Sequence, residues 1–170
     1  MSGAVVAYAV LALVALQRLG ELPLSIRNTK SLLAQGAVET GAGHYPLIIG
    51  LHILWLVSIL VFLPHPTPVY WPFLAGFAML QLLRFWVVRS LGIFWTTRII
   101  SLPGTPLVTS GPYRCLRHPN YLAVAGEILL LPLAFGEWAV AIIFSIANGA
   151  MLAWRIRAED NALSARRVHS

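Results

Sequence analysis

Apolar residues occur along this chain in runs long enough to cross a lipid bilayer. A membrane-spanning helix needs about 20 mostly apolar residues. No Asp, Glu, Lys or Arg occurs from residue 40 to residue 83, and prolines at 64, 66 and 68 divide that run because a helix cannot continue through them. The pattern predicts five spans, at approximately residues 5–24, 46–63, 69–88, 121–134 and 138–154.

The last two predicted spans form a tight helical hairpin, since only residues 135–137 (Phe-Gly-Glu) separate them. The preceding segment, 89–117, is too polar and too rich in Gly and Pro to span, so it is predicted to be a loop. The expected fold is an all-α integral membrane protein of five transmembrane helices, in one domain over residues 1–170. Three spans fall within residues 1–88, and the loop, hairpin and C-terminal helix fall within residues 89–170.

The amino-acid composition is typical of a membrane protein and argues against several other classes of protein. The chain is 58% hydrophobic and 11% charged, against roughly 25% charged residues in ordinary soluble domains. Its net charge of +6 comes with no basic run interleaved with aromatics, so a nucleic-acid partner is not expected. The single cysteine, Cys115, excludes an internal disulfide and a Cys-based zinc site, and we expect no metal. Phosphate-binding glycine loops, H-E-x-x-H and G-x-S-x-G are absent.

The positive charges predict an orientation. All twelve Lys and Arg lie in or near the first loop, the third loop and the tail, whereas the N-terminus, the 64–68 loop and the 135–137 turn hold none. Because Lys and Arg remain on the cytoplasmic side, the N-terminus is expected outside and the C-terminus in the cytoplasm. The first apolar segment lacks a basic start and a cleavage site, so we interpret it as a retained span.

Two polar clusters flank the hairpin. Residues 117–121 (Arg-His-Pro-Asn-Tyr) open the fourth span, and Arg155, Glu159 and Asp160 follow the fifth. Antiparallel neighbours place both clusters at one depth, and ionisable groups within membranes usually face a cavity or a bundle interior. If the last helix continues past residue 154, Arg155 and Glu159 share a face. The alternatives are an interfacial anchor and a surface ion pair.

These motifs resemble the isoprenylcysteine carboxyl methyltransferase family. The resemblance is carried by residues 107–113 (Leu-Val-Thr-Ser-Gly-Pro-Tyr), residues 117–121, and Arg155-x-x-x-Glu159-Asp160, over about a third of the chain. The N-terminal half, with residues 44–46 (His-Tyr-Pro), is similar to a bacterial branch. Some members of that branch are linked to O-methylation of polyketide alkylpyrones rather than of prenylated proteins.

The resemblance implies a cytosol-facing pocket for S-adenosylmethionine, capped by the C-terminal helix. Arg155 is then expected to bind or orient the oxygen nucleophile of the acceptor, and it is the catalytic candidate together with Glu159. Two departures from the family are Ala123 in place of a frequent Gly, and Asp160 in place of a second Glu. The implied cofactor-binding residues are Thr105, Pro106, Leu107, Val108, Tyr113, His118, Pro119, Asn120, Tyr121 and Glu159.

The expected function is S-adenosylmethionine-dependent methylation of a carboxylate, enol or phenol oxygen on a lipophilic acceptor, either prenylcysteine-like or alkylpyrone-like. A phospholipid N-methyltransferase, an NADPH-dependent enzyme similar to sterol reductases, and a non-catalytic membrane protein are the alternatives. Expected partners are the lipophilic substrate and membrane lipids. The first span, which has no polar partner of its own in this interpretation, is available for a homodimer. A bacterial inner membrane is the expected location.

Three further polar residues are left with open roles. Arg84, one turn after Gln81 on the third span, either reaches the interface, pairs with Glu127 or lines the substrate path, and pairing is favoured. His52 is interpreted as a helix contact. His44 and Tyr45 are candidates for gating substrate access.

Overall fold

The computed structural model describes residues 2–41, 43 and 45–167, with side chains described as far as residue 160. His44 therefore lies outside the described residues. Two single 3₁₀ turns, Gly92–Phe94 and Gly111–Arg114, lie in the long loop before the hairpin. The elements, in chain order, are α1 (Gly3–Ala34), β1 (Val38–Thr40), α2 (Tyr45–Phe62), α3 (Trp71–Leu91), β2 (Ile99–Ser101), α4 (Pro119–Ala134) and α5 (Trp138–Arg167).

The all-helical membrane architecture is confirmed. Helices α1, α2, α3 and α5 each contain a stretch long and apolar enough to cross a bilayer. Helix α4 is apolar but has 16 residues, fewer than a perpendicular crossing needs. Large apolar side chains remain on the outside of the bundle, with Ile146 and Phe85 about 70% exposed (70% and 69%), as expected of surfaces that face lipid.

Helix α1 is longer than its sequence predicts. The predicted span stops at residue 24, but the helix continues through Pro23 to Ala34. It continues because Ser25, Asn28 and Leu32 lie buried on one face, where the two polar side chains bond to the loop after α3. Polar residues placed in the predicted loop are thus part of the helical packing surface.

A two-stranded antiparallel sheet, which the sequence does not predict, joins the segment after α1 to the long loop. Strand β1 pairs with β2, and Glu39 lies opposite Ile100. Each strand has three residues, too few for an alternating pattern to be recognised in the sequence. The sheet brings the first loop and the third loop to the same end of the bundle.

The predicted hairpin of α4 and α5 is confirmed. It closes at Gly136, whose φ of +83° suits glycine. Helix α4 also packs closely on α3, because a Cβ at Gly126 would lie 2.5 Å from Cδ1 of Leu80. The main core of buried apolar side chains lies among α1, α2, α3, α4 and the start of α5, around Trp55, Leu131 and Phe135.

A charged group, here called the inner cluster, joins α1, α3 and α4 within the bundle. Arg84 donates from Nε to Glu21 Oε1 at 2.8 Å, while Arg18 pairs with Glu127. Gln81 Nε2 also donates to Glu127, at 3.0 Å. The favoured pairing role of Arg84 is therefore confirmed, although its partner is Glu21 rather than Glu127.

Helix α1 is not the partnerless span that the sequence suggests. Arg18 and Glu21 bond to α4 and α3, so the expectation of a first span without polar partners is wrong. The two arginines and two glutamates of the inner cluster carry equal and opposite charges. On α2, His52 Nδ1 lies 2.8 Å from the carbonyl oxygen of Ile48, which agrees with the local helix contact that we expect.

Candidate functional site

The two polar clusters meet as predicted. Helix α5 continues past residue 154, so Arg155 and Glu159 lie one turn apart and both reach Tyr121 on α4. Arg155 Nε donates to Tyr121 Oη at 3.0 Å, and Tyr121 Oη donates to a carboxylate oxygen of Glu159. The hairpin thus assembles an arginine, a phenol and a carboxylate into one hydrogen-bonded chain.

Arg155 has a second anchor on the opposite wall. Its Nη2 donates to the carbonyl oxygen of Thr97 at 2.7 Å. The remaining nitrogen, Nη1, has no partner among the described residues. The guanidinium is therefore held in a fixed orientation with one donor nitrogen free for a ligand.

The anchor at Thr97 depends on helix α1. Ser25 Oγ accepts the Thr97 backbone N–H at 2.9 Å and also lies 2.8 Å from Thr97 Oγ1. Asn28 Nδ2 donates to the carbonyl oxygens of Gly92 and Trp95, at 3.0 and 2.8 Å. We call these contacts the α1 clamp. Ser25 and Asn28 are buried because they make these contacts. The contacts also fix the backbone of the loop after α3 against α1.

Tyr45, the gating candidate that the structure describes, lies beside the same loop. Its hydroxyl accepts a hydrogen bond from Thr97 Oγ1 at 3.1 Å. The guanidinium carbon of Arg98 lies 4.7 Å from the Tyr45 ring centroid, and Arg98 Nη1 is 2.8 Å from Glu39 Oε1 on β1. The small sheet and the start of α2 are thereby joined next to the arginine site.

A cavity of about 300 Å³ lies at this junction, within the size range of small-molecule sites. Most predicted site residues line it, but three do not: Thr105 bonds to the Leu102 carbonyl at 2.7 Å, Pro106 is its neighbour, and Pro119 is buried in the first turn of α4. The predicted residues on the wall are Leu107, Val108, Tyr113, His118, Asn120, Tyr121, Arg155 and Glu159.

Sequence reasoning missed the wall formed by the loop after α3. Residues 94–97 (Phe-Trp-Thr-Thr) are similar in sequence to the same bacterial branch, but only Trp95 suggests a role, as a contact with lipid or with the acceptor. In the structure Phe94, Trp95 and Thr96 line the cavity, together with Arg98 from the same loop, and Thr97 contributes a backbone carbonyl. A backbone contact leaves no trace in side-chain type, so only the length and composition of this segment could have indicated it.

Two residues that line the cavity, Asn120 and His118, carry buried polar atoms without hydrogen-bond partners among the described residues. Asn120 Oδ1 is buried without a hydrogen-bond partner among the described residues. His118 stacks on Tyr121, with ring centroids 5.4 Å apart, and its Nε2 lies 3.6 Å from Asp160 Oδ1, beyond hydrogen-bond distance. Arg117 Nη2 holds the same Asp160 oxygen at 3.0 Å. A ligand that carries amino or hydroxyl donors would satisfy the Asn120 acceptor.

Tyr113 places a phenol hydroxyl, a hydrogen-bond donor, on the wall of the cavity. Burial and the nearby charge of Glu159 raise the pKa of the Tyr113 phenol above its usual value, so the hydroxyl remains protonated at neutral pH. The turn before it needs Gly111, which has a φ of +61° and whose Cβ would lie 2.1 Å from Ser90 Oγ. Within the described part of the chain, His, Cys, Asp and Glu form no group of three that could hold a metal ion.

Comparison with known sequences identifies the family of this chain. The sequence model described as the isoprenylcysteine carboxyl methyltransferase (ICMT) family matches residues 73–165, more than half of the chain. The chain belongs to the isoprenylcysteine carboxyl methyltransferase family. Membership implies a membrane methyltransferase, and the matched segment contains every residue of the arginine–phenol–carboxylate chain.

Two relatives extend the similarity to nearly the whole length. "Uncharacterized protein YpbQ" of Bacillus subtilis (strain 168) is 41% identical over 90% of this chain and 94% of its own. An "Uncharacterized protein" of Haemophilus influenzae is 28% identical over 86% of this chain and 88% of its own. No solved structure gives a significant match. The similarity to both relatives therefore includes most of the N-terminal half as well as the family-matched segment.

Proposed function

We propose that this protein is an integral membrane O-methyltransferase that uses S-adenosylmethionine and acts on an acidic oxygen of a lipophilic acceptor. The observation that carries the proposal is the state of Arg155. Its guanidinium is fixed from two sides, at Tyr121 and at Thr97, and Arg155 lines the cavity while its Nη1 has no partner among the described residues. Family membership supplies the reaction class.

The cavity fits the cofactor in its chemistry. S-adenosylmethionine would supply a methyl group on a positively charged sulfur, which is already activated for transfer. The unpaired Asn120 Oδ1 suits amino or hydroxyl donors. Glu159, which lines the same cavity, offers carboxylate oxygen to hydroxyl or ammonium groups, and Tyr113 offers a protonated phenol. The chain thus provides acceptors and a donor for a polar, cationic ligand.

Arg155 selects the acceptor by charge. A carboxylate is already a nucleophile, and the arginine needs only to bind and orient it. An enol or phenol would bind as its anion beside the same guanidinium. Holding two reactants at near-attack distance contributes on the order of 7–11 kcal/mol to lowering the barrier, so positioning is the main task of these side chains.

The alternatives fit this site less well. The acceptor nitrogen of a phospholipid amine is usually protonated, and Arg155 would repel it. A pyridine dinucleotide with a 2′-phosphate needs a free cation for that phosphate in addition to Arg155, which we assign to the acceptor. Arg98 and Arg117, the other arginines on the wall, already pair with Glu39 and Asp160.

The proposed setting is a bacterial inner membrane with the cavity on the cytoplasmic side, where S-adenosylmethionine is available. The placement of Lys and Arg supports it, because the arginine-rich loops and the cavity share one end of the bundle. Lipophilic acceptor and membrane lipids are the proposed partners. A homodimer remains a prediction. Its supporting argument, that α1 has no polar partner within the chain, no longer holds because Arg18 and Glu21 are paired.

The test is calorimetric titration of S-adenosylmethionine, of S-adenosylhomocysteine and, separately, of NADPH into the detergent-purified protein. We expect micromolar binding of the first two ligands and none of NADPH. His118→Ala and Glu159→Gln should weaken binding at least tenfold, whereas Glu137→Gln, a matched acid at the other end of the hairpin, should not. A positive result leads to a screen of carboxylate, enol and phenol acceptors.

The same titration can overturn the proposal. Binding of NADPH alone would assign the chain to the reductases. Absence of binding by either cofactor in a folded protein would contradict both enzyme assignments, and methyl transfer to a lipid amine in the acceptor screen would contradict the O-methyl assignment.

A further inference from the structure

A second cavity lies outside the candidate site, between α1 and α3 at the same end of the bundle. Its volume is about 390 Å³. Its apolar lining comes from α1, from α3 and from the turn that follows α3. Two arginines also line it. These lining residues are Leu24, Phe85, Val88, Ile93, Arg27 and Arg89. We call this cavity the α1–α3 groove.

The positive charge of the groove has no counterion within the described chain. Neither Arg27 nor Arg89 makes a hydrogen bond or ion pair there, and both are exposed. All six acidic side chains are placed elsewhere. They are Glu21 and Glu127 in the inner cluster, Glu39 with Arg98, Glu159 with Tyr121, Asp160 with Arg117, and Glu137 in the far turn.

The apolar part of the groove distinguishes a lipid from a soluble anion. Phe85 is 69% exposed and Ile93 is 49% exposed. A free phosphate would contact only the arginines and would leave these side chains uncovered. A phospholipid can place its phosphate between the guanidiniums and its acyl chain along Phe85, Val88 and Leu24, which lead from the rim toward the middle of the bilayer.

We propose that the α1–α3 groove binds an anionic phospholipid, with Arg27 and Arg89 holding the headgroup phosphate. Guanidinium groups bind phosphate oxygens by paired, charge-assisted hydrogen bonds, and basic residues near a bilayer surface are attracted to anionic lipids. The site is structural or regulatory in character and does not depend on the methyl-transfer proposal.

The groove and the candidate site share a wall. Gly92 and Ile93 line the groove, while Leu91 and Phe94, their neighbours in the chain, line the 300 Å³ cavity. Asn28 of the α1 clamp also lines the groove. A bound lipid would therefore contact the turn that closes the cavity without entering the cavity itself.

Native mass spectrometry of the detergent-solubilised protein tests the proposal. The probes are dioleoyl phosphatidylglycerol, dioleoyl phosphatidylcholine and inorganic phosphate. We expect one phosphatidylglycerol per chain to bind more tightly than phosphatidylcholine. The double variant Arg27→Gln/Arg89→Gln should weaken that binding roughly ten- to thirtyfold, as expected for two basic contacts to an anionic headgroup.

The matched control is Arg114→Gln/Arg157→Gln, which removes two exposed arginines outside the groove and should leave binding unchanged. Equal affinity for both lipids, an equal loss in the control, or displacement by millimolar phosphate would overturn the proposal. Thermal unfolding checks that each variant is folded. If the double variant unfolds, the single variants Arg27→Gln and Arg89→Gln provide the same comparison.

Discussion

The molecule contains two clusters of arginine and carboxylate, and they differ in how the charges are joined and in whether a cavity reaches them. In the inner cluster two arginines pair directly with two glutamates, and Arg18 Nε and Arg84 Nη1 are buried there without a hydrogen-bond partner among the described residues. At the cavity, Arg155 and Glu159 are linked through Tyr121, yet Arg155 Nη1 and Asn120 Oδ1 lack partners among the described residues.

The difference separates a structural role from a functional one more clearly than residue type does. No side chain of the inner cluster lines either cavity described above. Its charges are used to join three helices, as expected where an uncompensated ion inside a bundle is expensive. Around the cavity the same residue types are held by Tyr121 and line a space that a ligand can enter.

The largest expected effect comes from leaving the inner cluster unbalanced. Glu127→Met removes the partner of Arg18 and should lower the free energy of unfolding by about 3 kcal/mol or more. The double variant Arg18→Met/Glu127→Met should recover most of that loss, because the uncompensated cation is gone. Thermal unfolding in detergent measures both. If the double variant is as unstable as the single variant, the loss of stability does not come from the uncompensated charge of Arg18.

Next in size is the free arginine of the cavity. Arg155→Gln should reduce the rate of methyl transfer by about 10²–10³-fold, the range seen when one preorganised donor is removed, while binding of S-adenosylhomocysteine changes little. Arg157→Gln, two residues further along α5, is the control and should retain full rate. Near-normal turnover in Arg155→Gln, measured as initial rate on the acceptor found by screening, would remove the arginine from the mechanism.

Glu137 offers a smaller effect with a defined pH dependence. Burial raises its pKa from 4.5 to about 7, and neither carboxylate oxygen has a partner among the described residues. The folded protein then holds the proton more tightly than the unfolded chain, so stability should fall as pH rises from about 4.5 to about 7 and be constant above.

The size of this dependence is on the order of 1–3 kcal/mol. Glu137→Gln should remove it, whereas Glu39→Gln should preserve it. Unfolding followed at pH 5, 6, 7 and 8 gives the slope. A slope that is the same in the wild-type protein and in Glu137→Gln would mean that another group titrates.

The smallest expected effect concerns the α1 clamp. Ser25→Ala removes the acceptor of the Thr97 N–H and should lower stability by about 1 kcal/mol. It should also reduce methyl transfer several-fold, because the Thr97 carbonyl anchors Arg155. Ser31→Ala, an exposed serine on the same helix, is the control. A stability loss without any change in rate would limit the clamp to a folding role.

The sequence predicts the hairpin and the meeting of Tyr121 with Arg155, because a three-residue connection leaves antiparallel neighbours as the only simple arrangement. Apolar run length locates the helices to within a few residues at most ends. Those features depend on local pattern and topology, which the sequence contains directly.

The sequence does not reveal where α1 ends or how the third loop folds. Ser25 and Asn28 are polar, so the sequence places them in a loop. Their burial on α1 depends on hydrogen bonds to the carbonyl groups of Gly92 and Trp95 and to the N–H of Thr97, which lie far away in the sequence. Whether Arg84 pairs with Glu21 or with Glu127 likewise depends on how each helix is rotated about its axis. The spacing of residues along the sequence does not determine that rotation. Thr105, Pro106 and Pro119, assigned by resemblance, lie off the cavity wall.

The α1 clamp has a consequence for how this architecture can be recombined. The family-matched segment begins at residue 73, so it leaves out α1, yet Ser25 and Asn28 set the path of the loop that orients Arg155. Exchanging N-terminal halves between relatives is therefore expected to preserve the site only where the residues at positions 25, 28 and 92–97 make the same contacts. The first membrane helix therefore supports the proposed site, and a description of the C-terminal half alone would omit it.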